Sequence, residues 1–267
     1  AAVAPLRRVP LSRALSSGAA GGAAGPGLGT HRGPVPASLD QAIGVAEAVL
    51  TYIEHGAPGR ELDDLLAAAG RDHFMKRFNV MNHVLIATQV QATIPLGYEP
   101  TPAGFLAYAR SIAEIVSTPD VDKKLLADLE EVTRDTWDAL VRRAFGIKKL
   151  PELDIDTLRF AASRLSANMQ DPAFLKLVAE AYERELKPLA SSGNLQEAIF
   201  KLDELVVPCY LDVLKSVDGL QPDEKGCVIL KCRINMNLAD QSVAQSINSA
   251  TMALMSRAPL HEFAPSL

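Results

Sequence analysis

From Leu39 to Met255 apolar residues recur at steps of three and four, and most of these runs open on a capping residue or a proline and close on a glycine or a polar turn. Side chains three and four apart share one face of a helix, whereas a half-buried strand alternates with a period of two. This spacing leaves little room for anything but helices. The first run carries Leu39, Ile43, Ala46, Val49, Leu50 and Ile53, with Ser38 placed to cap it and Gly56 to stop it. A second, Arg60 to Ala69, ends at Gly70. A third, from Asp72 to about Gln91, holds Phe74, Phe78, Met81, Val84, Leu85 and Thr88.

Pro95, Gly97, Pro100 and Pro102 form a break, after which Thr101 caps a helix to about Ser117. The next helix is read over Pro119 to Phe145, with Trp137 as a packing anchor and Gly146 as its stop. Three more follow: Asp154 to Asn168, Pro172 to about Leu189, and Asn194 to Ser216, with Pro208 expected to kink or divide the last. The short connections between them favour antiparallel neighbours. Gly226 to Cys232 is a short β-branched run that reads as helix, because no second strand is available to pair with it. A final helix is expected from Asn237 to Ser256, and an extended tail after Pro259.

The fold expected is therefore all-α, a bundle or irregular solenoid of about eight to ten antiparallel helices behind an extended N-terminal segment. Its parts are residues 1–37, a helical domain over 38–258 with halves at 38–95 and 101–258 as one division, and the tail over 259–267. Composition agrees, since 48% of residues are hydrophobic but only 5% aromatic, a balance that suits close helix packing. Asn79, Asn82, His83, Gln89 and Gln91 interrupt the most apolar run, so no membrane-spanning helix is expected.

Charge separates the chain into two unequal parts. The net charge is -5, yet Arg7, Arg8, Arg13 and Arg32 all precede the first acid, Asp40, so the remainder carries -9. An acid-free opening rich in Arg, Ser and Ala has the composition of a mitochondrial transit peptide, and the stretch Arg13 to Gly18 resembles a processing site. An acidic body argues against a broad nucleic-acid footprint, because phosphate binding relies on displaced counterions.

Chemistry-bearing patterns are sparse. Cys209, Cys227 and Cys232 are too few and too irregular for a disulfide framework or a thiolate metal site. His31, His55, His73, His83 and His261 include no pair three or four apart, and no E-x-x-H element occurs. Gly25, Gly27 and Gly29 follow no strand, so they do not read as a phosphate loop. No catalytic, cofactor-binding or metal residue is assigned. The function expected is a non-catalytic accessory subunit of a mitochondrial inner-membrane energy-converting complex, an ATP synthase or respiratory complex, on the matrix side and held by other protein subunits. Met252 and Met255 on the last helix, with Arg142, Arg143, Lys148 and Lys149, are its candidate partner interface.

Three other readings compete, one of them a small-ligand or lipid-binding helical bundle marked by an empty apolar cavity. A mitoribosome-associated or RNA-binding helical-repeat protein would use Arg142, Arg143, Lys148, Lys149, Arg159 and Arg164 as a basic face. An enzyme would need Tyr98, His73, His83 and Asn82 to converge on one pocket.

Overall fold

The structure is a computed structural model that describes residues 37–70 and 73–263. It is an all-α bundle, with no strand among the described residues. Its α-helical segments are α1 (Leu39–His55), α2 (Ala57–Ala69), α3 (Phe74–Thr93), α4 (Pro102–Val116), α5 (Lys123–Phe145) and α6 (Ile155–Met169). These are followed by α7 (Pro172–Ala181), α8 (Lys187–Ser191), α9 (Leu195–Leu214), α10 (Glu224–Met236) and α11 (Gln241–Arg257). The expected transit-like segment, residues 1–37, lies outside the described residues except for Ala37, which is buried in the core.

Short polar side chains start most of these helices. Ser38 accepts from the Gln41 amide while the Gln41 side chain accepts from the Ser38 amide, so two otherwise orphaned donors of α1 are satisfied reciprocally. Thr101 caps α4, and Asp122, Asp154, Asp171, Asp223 and Asp240 cap α5, α6, α7, α10 and α11. Asp122 also explains why α5 begins at Lys123 rather than at Pro119. At Gly226 the chain folds back so tightly over the start of α10 that a Cβ would collide with the Gln221 carbonyl. Only glycine fits there.

Several details depart from the sequence reading. Gly226 to Cys232 is helical, as expected, but Pro208 does not divide its helix; α9 is continuous from Leu195 to Leu214. The run from Pro172 is not uniform α-helix, because Tyr182–Leu186 forms a π turn between α7 and α8. Pro188 supplies a cause. Without an N–H it cannot serve the carbonyl four residues back, and its ring would strike that carbonyl in a regular α-helix. Where an extended tail is expected after Pro259, Leu260–Phe263 makes a 3-10 turn, and Leu260 is buried.

The most extensive helix contacts join elements far apart in sequence: α1 with α5, and α6 with α11. Phe78, Met81, Leu140, Leu165, Leu214 and Leu230 bring α3, α5, α6, α9 and α10 into one core. A smaller cluster around Val178, Tyr182, Leu186, Ala198 and Leu260 seats α7 and α8 on α9.

Three arginines tie backbone carbonyls of distant segments to one another. Arg77 of α3 donates to Ala144 O at the end of α5 and, at 3.2 and 3.1 Å, to Leu66 O and Gly70 O at the end of α2. Arg143 donates to Glu54 O at 2.7 Å, to Gly59 O at 3.3 Å and to Asp63 at 2.6 Å. Arg233, only 6% exposed, donates to Pro151 O at 2.7 Å and Leu150 O at 2.9 Å. The last turn of a helix leaves carbonyls without intrahelical donors, and a guanidinium has five N–H groups to offer them.

Candidate interaction surface

The basic residues read as one surface patch do different work. Arg142 pairs with Glu54 at 3.0 Å, and Arg143 is engaged with α1 and α2, so both close the α1–α5 junction inside the molecule. Arg159 is held by Asp240 at 2.7 Å and Asp156 at 3.1 Å, which depresses the Asp240 carboxyl below its ordinary range, chiefly through that hydrogen bond. Lys148, Lys149 and Arg164 are exposed, without an acidic partner within 4 Å among the described residues. Two lysines and one arginine remain of the six-residue basic face.

The polar residues proposed to converge do not share a pocket. Tyr98 is buried beyond the end of α3, 3.1 Å from the Ser111 hydroxyl and edge-on to Tyr108. His73 stands at the opposite end of α3, about 30 Å away along a helix of that length, with its ring edge-on to Phe200. His83 and Asn82 are half-buried in between, and burial pulls the His83 pKa down while Glu61 opposes it.

A polar cluster that the sequence reading missed lies between α3, α9 and α10. The Lys231 ammonium sits 5.0 Å from the centre of the Phe78 ring and 4.9 Å from that of Tyr210. Asp203 lies nearby and is fixed at 2.6 Å by the Asn79 amide. Burial alone would lower the Lys231 pKa, but Tyr210 and Asp203 outweigh it and keep the cation charged. Between two aromatic faces a charged ammonium is attracted by both ring quadrupoles, which makes this a satisfied core cation rather than a nucleophilic amine. The lone lysine inside Val228-Ile229-Leu230-Lys231-Cys232 was the available signal.

The thiols belong to the same interior. Burial pushes Cys209 up to about 11 and Cys227 and Cys232 up to about 12. Only the thiolate attacks electrophiles, so all three should resist a disulfide reagent at pH 8 in the native protein and react together once it is unfolded. Timed titration of thiols with and without denaturant measures this; one fast-reacting native thiol would contradict it.

On the C-terminal side several large apolar side chains reach solvent among exposed charged ones. Phe160 of α6 and Leu177 of α7 are each 48% exposed, and Met252 of α11 is 55% exposed. Met255 is half-buried, so of the expected methionine pair Met252 is the more outward. α7 has only two charged residues, Lys176 and Glu180, in ten, yet its Pro172, Ala173 and Leu177 are open to solvent. A shallow cleft of about 340 Å3 runs beside it, lined by Pro172, Leu175, Ala179 and the stems of Lys176 and Arg257. Among the described residues no group of His, Cys, Asp and Glu side chains is arranged to hold a metal, and no helix is long and apolar enough to cross a membrane. The chain matches no protein-family model, no curated protein and no solved structure.

Proposed function

We propose that this chain is a non-catalytic helical subunit that works by packing against other proteins in a larger mitochondrial assembly. The observation that carries this reading is the outward-facing apolar set Phe160, Leu177 and Met252 on three neighbouring helices. Scattered apolar residues are ordinary on any surface, but a helix as apolar as α7 normally lies inside a protein or under a partner. The mitochondrial part rests on the composition of the opening segment, and an energy-converting inner-membrane complex is the favoured assembly because the body is acidic.

Tagged protein expressed in its source cells, released with mild detergent and run on a native gel, tests the reading. Migration in a band of several hundred kilodaltons or more, with the same partners identified in independent preparations, is the expected result. Migration as a free monomer would refute it.

A further inference from the structure

We infer that residues 172–191 form a hinged flap, which the turn Leu260–Phe263 latches shut over the first half of α9. The device is conformational, and it works whether or not the chain is a subunit of an assembly.

The interior divides along α9. Val206, Cys209, Tyr210, Val213 and Leu214 of that helix belong to the main core, whereas Leu195 and Ala198 at its start belong to the smaller cluster. The flap covers this start with Val178, Tyr182, Leu186 and Ala190. Of the flap's own residues only Phe174, half-buried, also touches the main core. The main core therefore keeps its contacts when the flap lifts, and what is bared is an apolar face of α9 made by Leu195, Ala198, Ile199 and Leu202.

Polar ties divide in the same way. Arg77, Arg143 and Arg233 reach carbonyls of distant segments, and Arg159 holds Asp240 across to α11. Within the flap the side-chain hydrogen bonds are all local. Among the described residues the one ion pair that leaves it, Glu185 with Lys201, is 3.6 Å long between side chains 42% and 39% exposed, and such a pair adds little. The flap's α-helical pieces are ten and five residues long on either side of the π turn, lengths with little stability of their own. Both of its ends are turns. Asp171 leads into it from the end of α6, and Gly193 leaves it with a φ of +86°, a left-handed conformation that glycine adopts without strain.

The latch is the turn that follows α11. Leu260, 6% exposed, and Ala258 lie among Leu186, Ala190 and Leu195, and the turn touches both α8 and α9, so it spans the seam between the flap and the helix beneath. Its backbone bonds are local: the Leu260 amide donates to Ala258 O at 2.7 Å and the Glu262 amide to Pro259 O at 3.1 Å. Apolar contact is what holds it in place. A segment secured in this way opens at a lower free energy than a core that is also tied by hydrogen bonds.

Hydrogen exchange of the purified full chain, followed by mass spectrometry, tests the device on wild type, Leu260→Ala and Ile53→Val. In wild type the amides of the flap should exchange at least tenfold faster than those of α3 and α5. Ile53→Val trims the main core, so it should speed α3 and α5 several-fold and leave the flap unchanged, because the core stays folded when the flap opens. Leu260→Ala should speed the flap a further tenfold or more; if that variant fails to fold, Leu260→Val carries the same comparison with a smaller change. Flap amides as slow as those of the core, or a flap accelerated by Ile53→Val as much as the core, would mean a single cooperative bundle and overturn the inference. A flap indifferent to the Leu260 substitutions would overturn it too, since the turn would not be its latch.

Discussion

Phe78→Ala should lower the unfolding free energy by about 3–5 kcal/mol, the usual cost of emptying a buried phenylalanine site. Phe78 is 2% exposed, and its ring lies where α3 meets α9 and α10. Two losses combine. The cavity forfeits the ring's burial and contacts, and the Lys231 ammonium loses one of its two aromatic faces. A desolvated cation–π contact adds about 2 kcal/mol, which places the change toward the upper end of the range. Urea denaturation followed by circular dichroism would measure it. Adding Lys231→Met to Phe78→Ala separates the terms: if the cation matters, the two changes together cost less than the sum of each alone. Additive costs would mean that only the cavity counts.

Arg233→Met should cost about 3–4 kcal/mol although it keeps much of the side-chain volume and hydrophobic character, because it strands polar groups that water reaches poorly. The carbonyls of Pro151 and Leu150 lose their donor, and Asp138, 8% exposed, loses the nearby cation that compensates its charge. Asp138 itself accepts from the Leu150 amide at 2.8 Å, so the segment between α5 and α6 is held from both sides. Asp138→Asn in the Arg233→Met background should recover about 1 kcal/mol or more, since an amide oxygen still accepts that N–H without a charge to bury. No recovery in the double variant would assign the whole cost to the carbonyls.

The sequence was most informative where physics is local. Caps such as Ser38, Thr101, Asp154 and Asp171 act on amides two or three residues away, so their helices can be read directly from the chain. Gly226 to Cys232 was decided correctly by the lack of a pairing strand. Pro208 shows the limit of a local rule: packing of Val206, Cys209, Tyr210 and Val213 on both sides keeps α9 continuous across a residue that disfavours it. The π turn before Pro188 was missed because hydrophobic spacing does not register one widened turn.

Long-range roles of charge were illegible. Arg142 and Arg143 sit beside Lys148 and Lys149 in sequence and read as one basic face, yet the arginines turn to groups eighty or more residues away. A guanidinium that serves backbone carbonyls leaves no pattern in the text, because every residue has a carbonyl. Exposed apolar residues are equally silent: Met252 was picked out from its position on the last helix, but Phe160 and Leu177 look like any other core residue until burial is known.

The pairing of α1 with α5 and of α6 with α11 also bears on how the chain is made. A ribosome releases α1 long before α5, and α6 long before the final helix, so two apolar faces must wait uncovered while the rest is synthesised. Local hairpins can form early, but the core cannot close until Asp240 and the helix it starts have left the exit tunnel. The arrival of α11 therefore governs when such a chain becomes a folded protein.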